Sequence, residues 1–160
     1  MWNIAVHRIE GVSEFSGFMD KTDPFVKIIV GSQNKREFQT QEKINAGGNA
    51  TFDETFTFEQ VSELLPAEEH LVTIQVWDKD FLSDDFIGQS EIDMREEQAL
   101  AFSAVDIMTR SGALAGKVIV SLYLGPEESK LVSEEERKAS EMQIWKKQQA
   151  EAARQRLAGE

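Results

Sequence analysis

The chain has 160 residues, no cysteine and a formal net charge of −12, with 41% hydrophobic residues. That length suits one domain with one core, and the lack of cysteine excludes disulfides and thiolate-bound metals. The charge is uneven: residues 1–126 carry −11 and residues 127–160 carry −1. A body this acidic is a poor partner for nucleic acid, whose phosphates need Lys and Arg.

Short alternating or apolar runs separated by turn residues dominate the first 125 residues, which predicts β structure. In chain order, strands are expected over 3–9, 24–31, 35–41, 52–58, 71–77, 87–92 and 117–124, with a weaker one near 104–108. Gly47-Gly48-Asn49 and Ser111-Gly112 supply turn chemistry, and helical turns are expected within 61–66 and 93–102. Many strands at near-regular spacing argue for an antiparallel sandwich rather than βαβ units. Gly125-Pro126 closes the region, leaving 126–133 as a linker. Ser133 followed by Glu136 has the form of a capping box, and residues 134–157 hold no Gly or Pro, so a charged helix is expected there. Its apolar stripe is thin, with Met142 and Trp145 as the contacts it offers to the sandwich or to a protein partner. No run approaches the length of a membrane span. The N-terminus lacks a basic segment followed by an apolar one, so no signal peptide is expected, and an intracellular setting fits.

The densest chemistry follows the best strand. Asp78, Asp80, Asp84 and Asp85 crowd into eight residues, with Phe81-Leu82 between them. Carboxylates held together at a strand end repel one another unless a cation joins them. With no Cys or His nearby, an oxygen-only set suits calcium rather than zinc.

Two further segments complete a pattern. Asp20-Lys21-Thr22-Asp23-Pro24-Phe25-Val26-Lys27 resembles the (Ser/Thr)-Asp-Pro-(Tyr/Phe)-Val-Lys signature of C2 domains. Asn49 through Phe58 is similar to their Asn-Pro-x-(Phe/Trp)-x-Glu-x-Phe-x-Phe strand, and Trp77-Asp78-Lys79-Asp80 through Asp85-Phe86-Ile87-Gly88 to their third calcium loop. The resemblance implies an all-β, eight-stranded antiparallel C2-type sandwich over residues 1–125. Because the chain begins at the strand before the Asp-Pro-Phe loop, it implies the circularly permuted type II topology. It also implies one or two Ca2+ ions held by Asp23, Asp78, Asp80 and Asp85 and the Lys79 carbonyl. The family's first loop-1 acid lies six residues before Asp23, where this chain has Gly17; Asp20 or Glu14 is the available substitute, and the third loop is one residue shorter than usual.

The function implied is calcium-dependent binding to anionic phospholipid by a non-catalytic, cytoplasmic, peripheral membrane module. Two calcium ions would leave residues 1–126 at −7, so attraction to acidic lipid must be local to the loops. Screening over about 8 Å makes a local effect sufficient. Phe18-Met19 and Phe81-Leu82 are the expected tips of loops 1 and 3, each side chain stabilised by roughly 1.5–3 kcal/mol if fully buried in lipid. A basic concave face built on Lys27, Lys35, Arg36 and Lys43 is diluted by Glu37 and Glu42. His7 and His70 match no catalytic motif and read as structural or solvated. The competing reading is an interaction module whose helix, through Met142 and Trp145, docks into an assembly, with calcium structural or absent.

Overall fold

The computed structural model describes residues 1–13, 21–96, 99–125 and 134–158, and the helix side chains over 142–154. The strands are β1 (Trp2–Glu10), β2 (Pro24–Val30), β3 (Arg36–Gln39), β4 (Ala50–Phe58), β5 (Leu71–Asp78), β6 (Asp85–Asp93), β7 (Leu100–Met108) and β8 (Leu114–Leu124). A 3₁₀ turn, Ala67–His70, precedes β5, and helix α1 spans Glu134–Ala158.

Adjacent strands run in the order β3-β2-β5-β6-β7-β8-β1-β4. Neighbouring strands in this order pair antiparallel. Only the Gln89–Met108 pair joins β6 to β7, so the order divides there into two four-stranded halves that face one another as a sandwich. Alternation explains the core. Val26, Ile28 and Val30 of β2 and Val72, Ile74 and Val76 of β5 point inward, against Ile4, Val6, Val118, Val120 and Leu122 of the other half. At roughly 1.5–3 kcal/mol for each fully buried aliphatic side chain, this layer dominates the fold's stability. The last strand, β8, lies between β7 and β1, the position that the permuted order requires.

Three bulges line up across β7, β8, β1 and β4. The register slips at His7 in both of its strand's pairings, and Asp53 and Phe102 take positive φ beside it. His7 Nε2 lies 2.9 Å from Ser121 Oγ and its ring stacks on Phe102 at 4.3 Å. His70 is buried, with Nε2 3.3 Å from the Leu65 carbonyl. Both histidines therefore take part in packing.

Within 61–66 a single turn forms, closed by the Leu65 N–H on the Ser62 carbonyl at 3.0 Å, and the short helix follows Pro66. Around 93–102, the Asp93 carboxylate accepts the Arg95 N–H at 3.0 Å and closes a tight turn. The chain enters β7 at Leu100, earlier than the weak strand predicted near 104–108, because β8 offers partners out to Leu122. The predicted linker, 126–133, lies outside the described residues. Helix α1 meets the sandwich at β7, yet Met142 and Trp145 are 53% and 55% exposed. No helix among the described residues is long and apolar enough to cross a membrane.

Candidate functional site

Three connections converge on one end of the sandwich. The ladder pairs Pro24 with Asp78 and Asp78 with Asp85. The end of β5 thus lies between the start of β2 and the start of β6, and Asp78 is common to both. Lys79 N–H donates to the Asp23 carbonyl at 2.9 Å, and Asp23 N–H donates to Asp78 Oδ1 at 2.9 Å. The connection over 40–49 is tied to the same place. Lys43 N–H reaches the Pro24 carbonyl, Gly47 N–H the Thr22 carbonyl, and Asn45 N–H the Asp23 carboxylate at 2.6 Å.

The carboxylates therefore share one pole. Asp78 is partly buried, and its carboxyl is pushed above the ordinary carboxylate value. Loss of solvent is the main cause; the Asp23 N–H bond opposes it, and repulsion from Asp23, Asp85 and Asp80 adds to it. Some of the nearby carboxylates spend oxygens locally. Asp80 accepts the Phe81 N–H at 2.6 Å, while Asp84 accepts the Asp80 N–H at 3.4 Å and pairs with Lys79 Nζ at 3.6 Å. Among the described residues, no three His, Asp or Glu side chains stand in a metal-holding arrangement. In donor type and charge the set fits a hard cation, because oxygens alone line it and their mutual repulsion bears on Asp78. To ligate jointly, Asp80 must leave its own backbone. Asp20, Phe18 and Met19 lie outside the described residues, as do Gly17 and Glu14.

Phe81 and Leu82 project from the loop between β5 and β6, 98% and 89% exposed. A further large apolar side chain at this pole escaped the sequence reading: Ile44, 72% exposed, on the 40–49 connection. Its signal was a lone aliphatic residue in the polar run Lys43-Ile44-Asn45. The four bases of the concave face do not gather. Lys27 lies mid-strand with Nζ 4.9 Å from the Trp77 ring, whereas Lys43 belongs to the acidic pole. Lys35 and Arg36 sit at the far end of the β2–β3 hairpin, where Arg36 pairs with Val30.

The root of the first loop is held by two glycines. Val12 N–H donates to the Gly48 carbonyl at 3.0 Å. A Cβ on Gly48 would lie 2.2 Å from the Val12 carbonyl oxygen, and one on Gly116 would lie 2.7 Å from Val12 Cα. Both positions must lack a side chain for the backbone to pass between them.

A family model for the C2 domain matches residues 3–109. No curated protein sequence matches the chain. Among solved structures, a C2 domain of plant Extended Synaptotagmin 1 aligns with a TM-score of 0.62 at 21% identity, covering 79% of this chain and 94% of that one. The tandem C2 domains of Extended-Synaptotagmin 2, calcium bound, align with a TM-score of 0.60 at 20% identity, covering 76% and 44%. Human GIVD cytosolic phospholipase A2 aligns with a TM-score of 0.54 at 14% identity, covering 76% of this chain and 16% of that one. At these identities the likeness is one of fold.

Proposed function

The chain belongs to the C2 domain family, and from that premise we propose that it is a non-catalytic, calcium-dependent phospholipid-binding module that docks peripherally on the cytoplasmic face of a membrane. The observation that carries this reading is the exposure of Phe81 and Leu82 above a loop base lined by Asp78, Asp80 and Asp85. Large apolar side chains held in water at the tip of an acidic loop are unfavourable unless a second phase receives them.

In this reading Asp23, Asp78, Asp80 and Asp85, with the Lys79 carbonyl and Asp20, would hold one or two calcium ions. Bound calcium supplies positive charge between the carboxylates and open coordination positions for lipid phosphate or carboxylate oxygens. The protein's own residues do the rest. Asp78 couples the loops, accepting from Asp23 N–H while closing the ladder opposite Asp85. Phe81 and Leu82, joined by Phe18 and Met19, enter the acyl boundary. That calcium-bound Extended-Synaptotagmin 2 shares this fold supports the proposal.

Sedimentation with vesicles of phosphatidylcholine and phosphatidylserine tests it. The protein should pellet in calcium and stay in solution in EGTA, and Phe81→Asp should weaken binding by about tenfold or more. Pelleting that ignores both EGTA and Phe81→Asp would sink the reading.

One observation favours a second role for α1. Met142, Ile144 and Trp145 are all more than half exposed on a helix that meets the body at β7. Aromatic and basic neighbours such as Trp145-Lys146-Lys147 are suited to a protein contact. A calcium-insensitive domain that retains a protein partner through this helix would favour the interaction-module reading instead.

A further inference from the structure

The acidic pole has a fourth connection, the turn between β7 and β8, which none of the family's sequence motifs touches. Thr109 N–H donates to the Ala113 carbonyl at 2.8 Å and Gly112 N–H to the Thr109 carbonyl at 2.9 Å, giving a tight turn. It stands against the third loop: Asp84, Asp85 and Phe86 share one cleft with Thr109, Arg110 and Ser111. The Arg110 guanidinium lies 4.9 Å from the centre of the Phe86 ring, and Phe86 in turn packs edge-on against Trp77 at 5.3 Å. Among the described residues no carboxylate pairs with Arg110. Its charge is thus held beside the acidic loop by an aromatic face, with its donors free for an anion. Leu114, at the first position of β8, is 59% exposed at the same turn.

Resting on the calcium and lipid reading above, we infer that the lipid-facing surface extends past the first and third loops. Ile44 on one side and Leu114 on the other enter the bilayer boundary, and Arg110 pairs with the net negative charge that distinguishes an anionic headgroup from a zwitterionic one. Three observations point to a bilayer as the occupant. First, the apolar side chains stand on separate connections of one pole, joined by the ties of 40–49 to Thr22–Pro24 and of the β7–β8 turn to Phe86. Hydrocarbon has no shape of its own and accepts separate prongs, whereas a protein partner would need a matching set of pockets. Second, the two further apolar tips each have a base close by in the chain: Lys43 before Ile44 and Arg110 before Leu114. This is the arrangement in which tips enter the acyl region while cations stay with the headgroups. Third, Arg110 lies over the Phe86 ring and pairs with no carboxylate among the described residues, so its donors are open to an anion from outside the protein.

Sedimentation with vesicles of phosphatidylcholine alone, and of phosphatidylcholine with phosphatidylserine, both in calcium, separates the possibilities. Ile44→Ser and Leu114→Ser should each raise the lipid needed for half-maximal binding about fivefold on both vesicle types, the effect of partial burial of one aliphatic side chain. Arg110→Gln should weaken binding about fivefold only where phosphatidylserine is present. Unchanged thermal midpoints for these exposed substitutions confirm intact folding. If Phe81→Asp loses binding while all three variants bind like the parent, the wider surface is overturned and the two-loop reading stands. Equal loss with Arg110→Gln on both vesicle types overturns its headgroup role. If the parent chain itself does not pellet, the lipid reading falls and this inference with it.

Discussion

Asp78 concentrates the electrostatic tension of the molecule. Solvent loss and three nearby carboxylates raise its carboxyl above the ordinary value. The sign of this effect is opposite to that of a salt-bridged acid. A raised carboxylate destabilises the folded state when ionised, and the penalty fades as pH falls through its folded value. Asp78→Asn removes the charge but keeps the oxygen that accepts the Asp23 N–H. Without calcium, this variant should melt slightly higher than the parent, by about 2 °C. With calcium at a hundred times its Kd, the parent should gain about 2.7 kcal/mol, and Asp78→Asn should lose most of that gain. A thermal melt with and without calcium reads both effects. Two other carboxylates behave in the ordinary way. Asp93 is held at about 2, chiefly by the Arg95 side chain, which reaches it at 2.7 and 3.1 Å. Glu69 is lowered chiefly by the Gln33 N–H at 2.7 Å. Depressed acids contribute stability that is present above the unfolded value of about 3.9–4.3 and is lost as pH falls toward the folded one. Urea midpoints should therefore drop between about pH 4 and pH 2, and Asp93→Asn should flatten that drop.

The strands show how much of the molecule could be read from its pattern. The alternation in Leu71–Trp77 and Pro24–Val30 was legible because one face is apolar and the other is not, and the observed strands differ from those expected mainly at their ends. The start of β7 was not, because Phe102 takes positive φ at a bulge and the strand is defined by its pairing with β8 rather than by its own alternation. Among candidate site residues, Asp78, Asp80, Asp84 and Asp85 stand out as an acidic run, whereas Asp23 enters only through the resemblance of its segment to the C2 signature; the fold brings Asp23, Asp78 and Asp85 to one pole. The local hydrogen bonds that hold Asp80 and Asp84 to the loop backbone could not be read this way, because they depend on how the loop folds over itself. Ile44 and Arg110 were missed because their importance comes from ties between segments distant in the chain, such as Asn45 to Asp23 and Arg110 to Phe86. The loop roots carry a prediction at this scale. Gly116 has φ +133° and no room for a Cβ beside Val12. Gly116→Ala should cost about 1–3 kcal/mol in a urea titration, and calcium binding should weaken with it as the first loop shifts. An unchanged midpoint would show that the clamp at Val12 yields freely.

At the scale of the whole molecule, the sandwich is a rigid frame that brings chain segments from four connections to one end. Its body is too acidic for long-range attraction to an anionic membrane, so the proposed binding would be local to that end, where the acids and the exposed apolar tips lie. The opposite end carries Lys35, Arg36 and the Glu69 tie, and α1 meets the body at β7 with Met142 and Trp145 more than half exposed. The central claim is that calcium controls entry of the third-loop tip into lipid. Phe81→Trp keeps an aromatic side chain at that tip, and its fluorescence, after subtraction of the parent's, can be quenched by brominated phosphatidylcholine in vesicles that also contain phosphatidylserine. Strong quenching in calcium that disappears in EGTA is the predicted result. Quenching that is equal in both conditions, or absent while the protein still pellets with the vesicles, would contradict it.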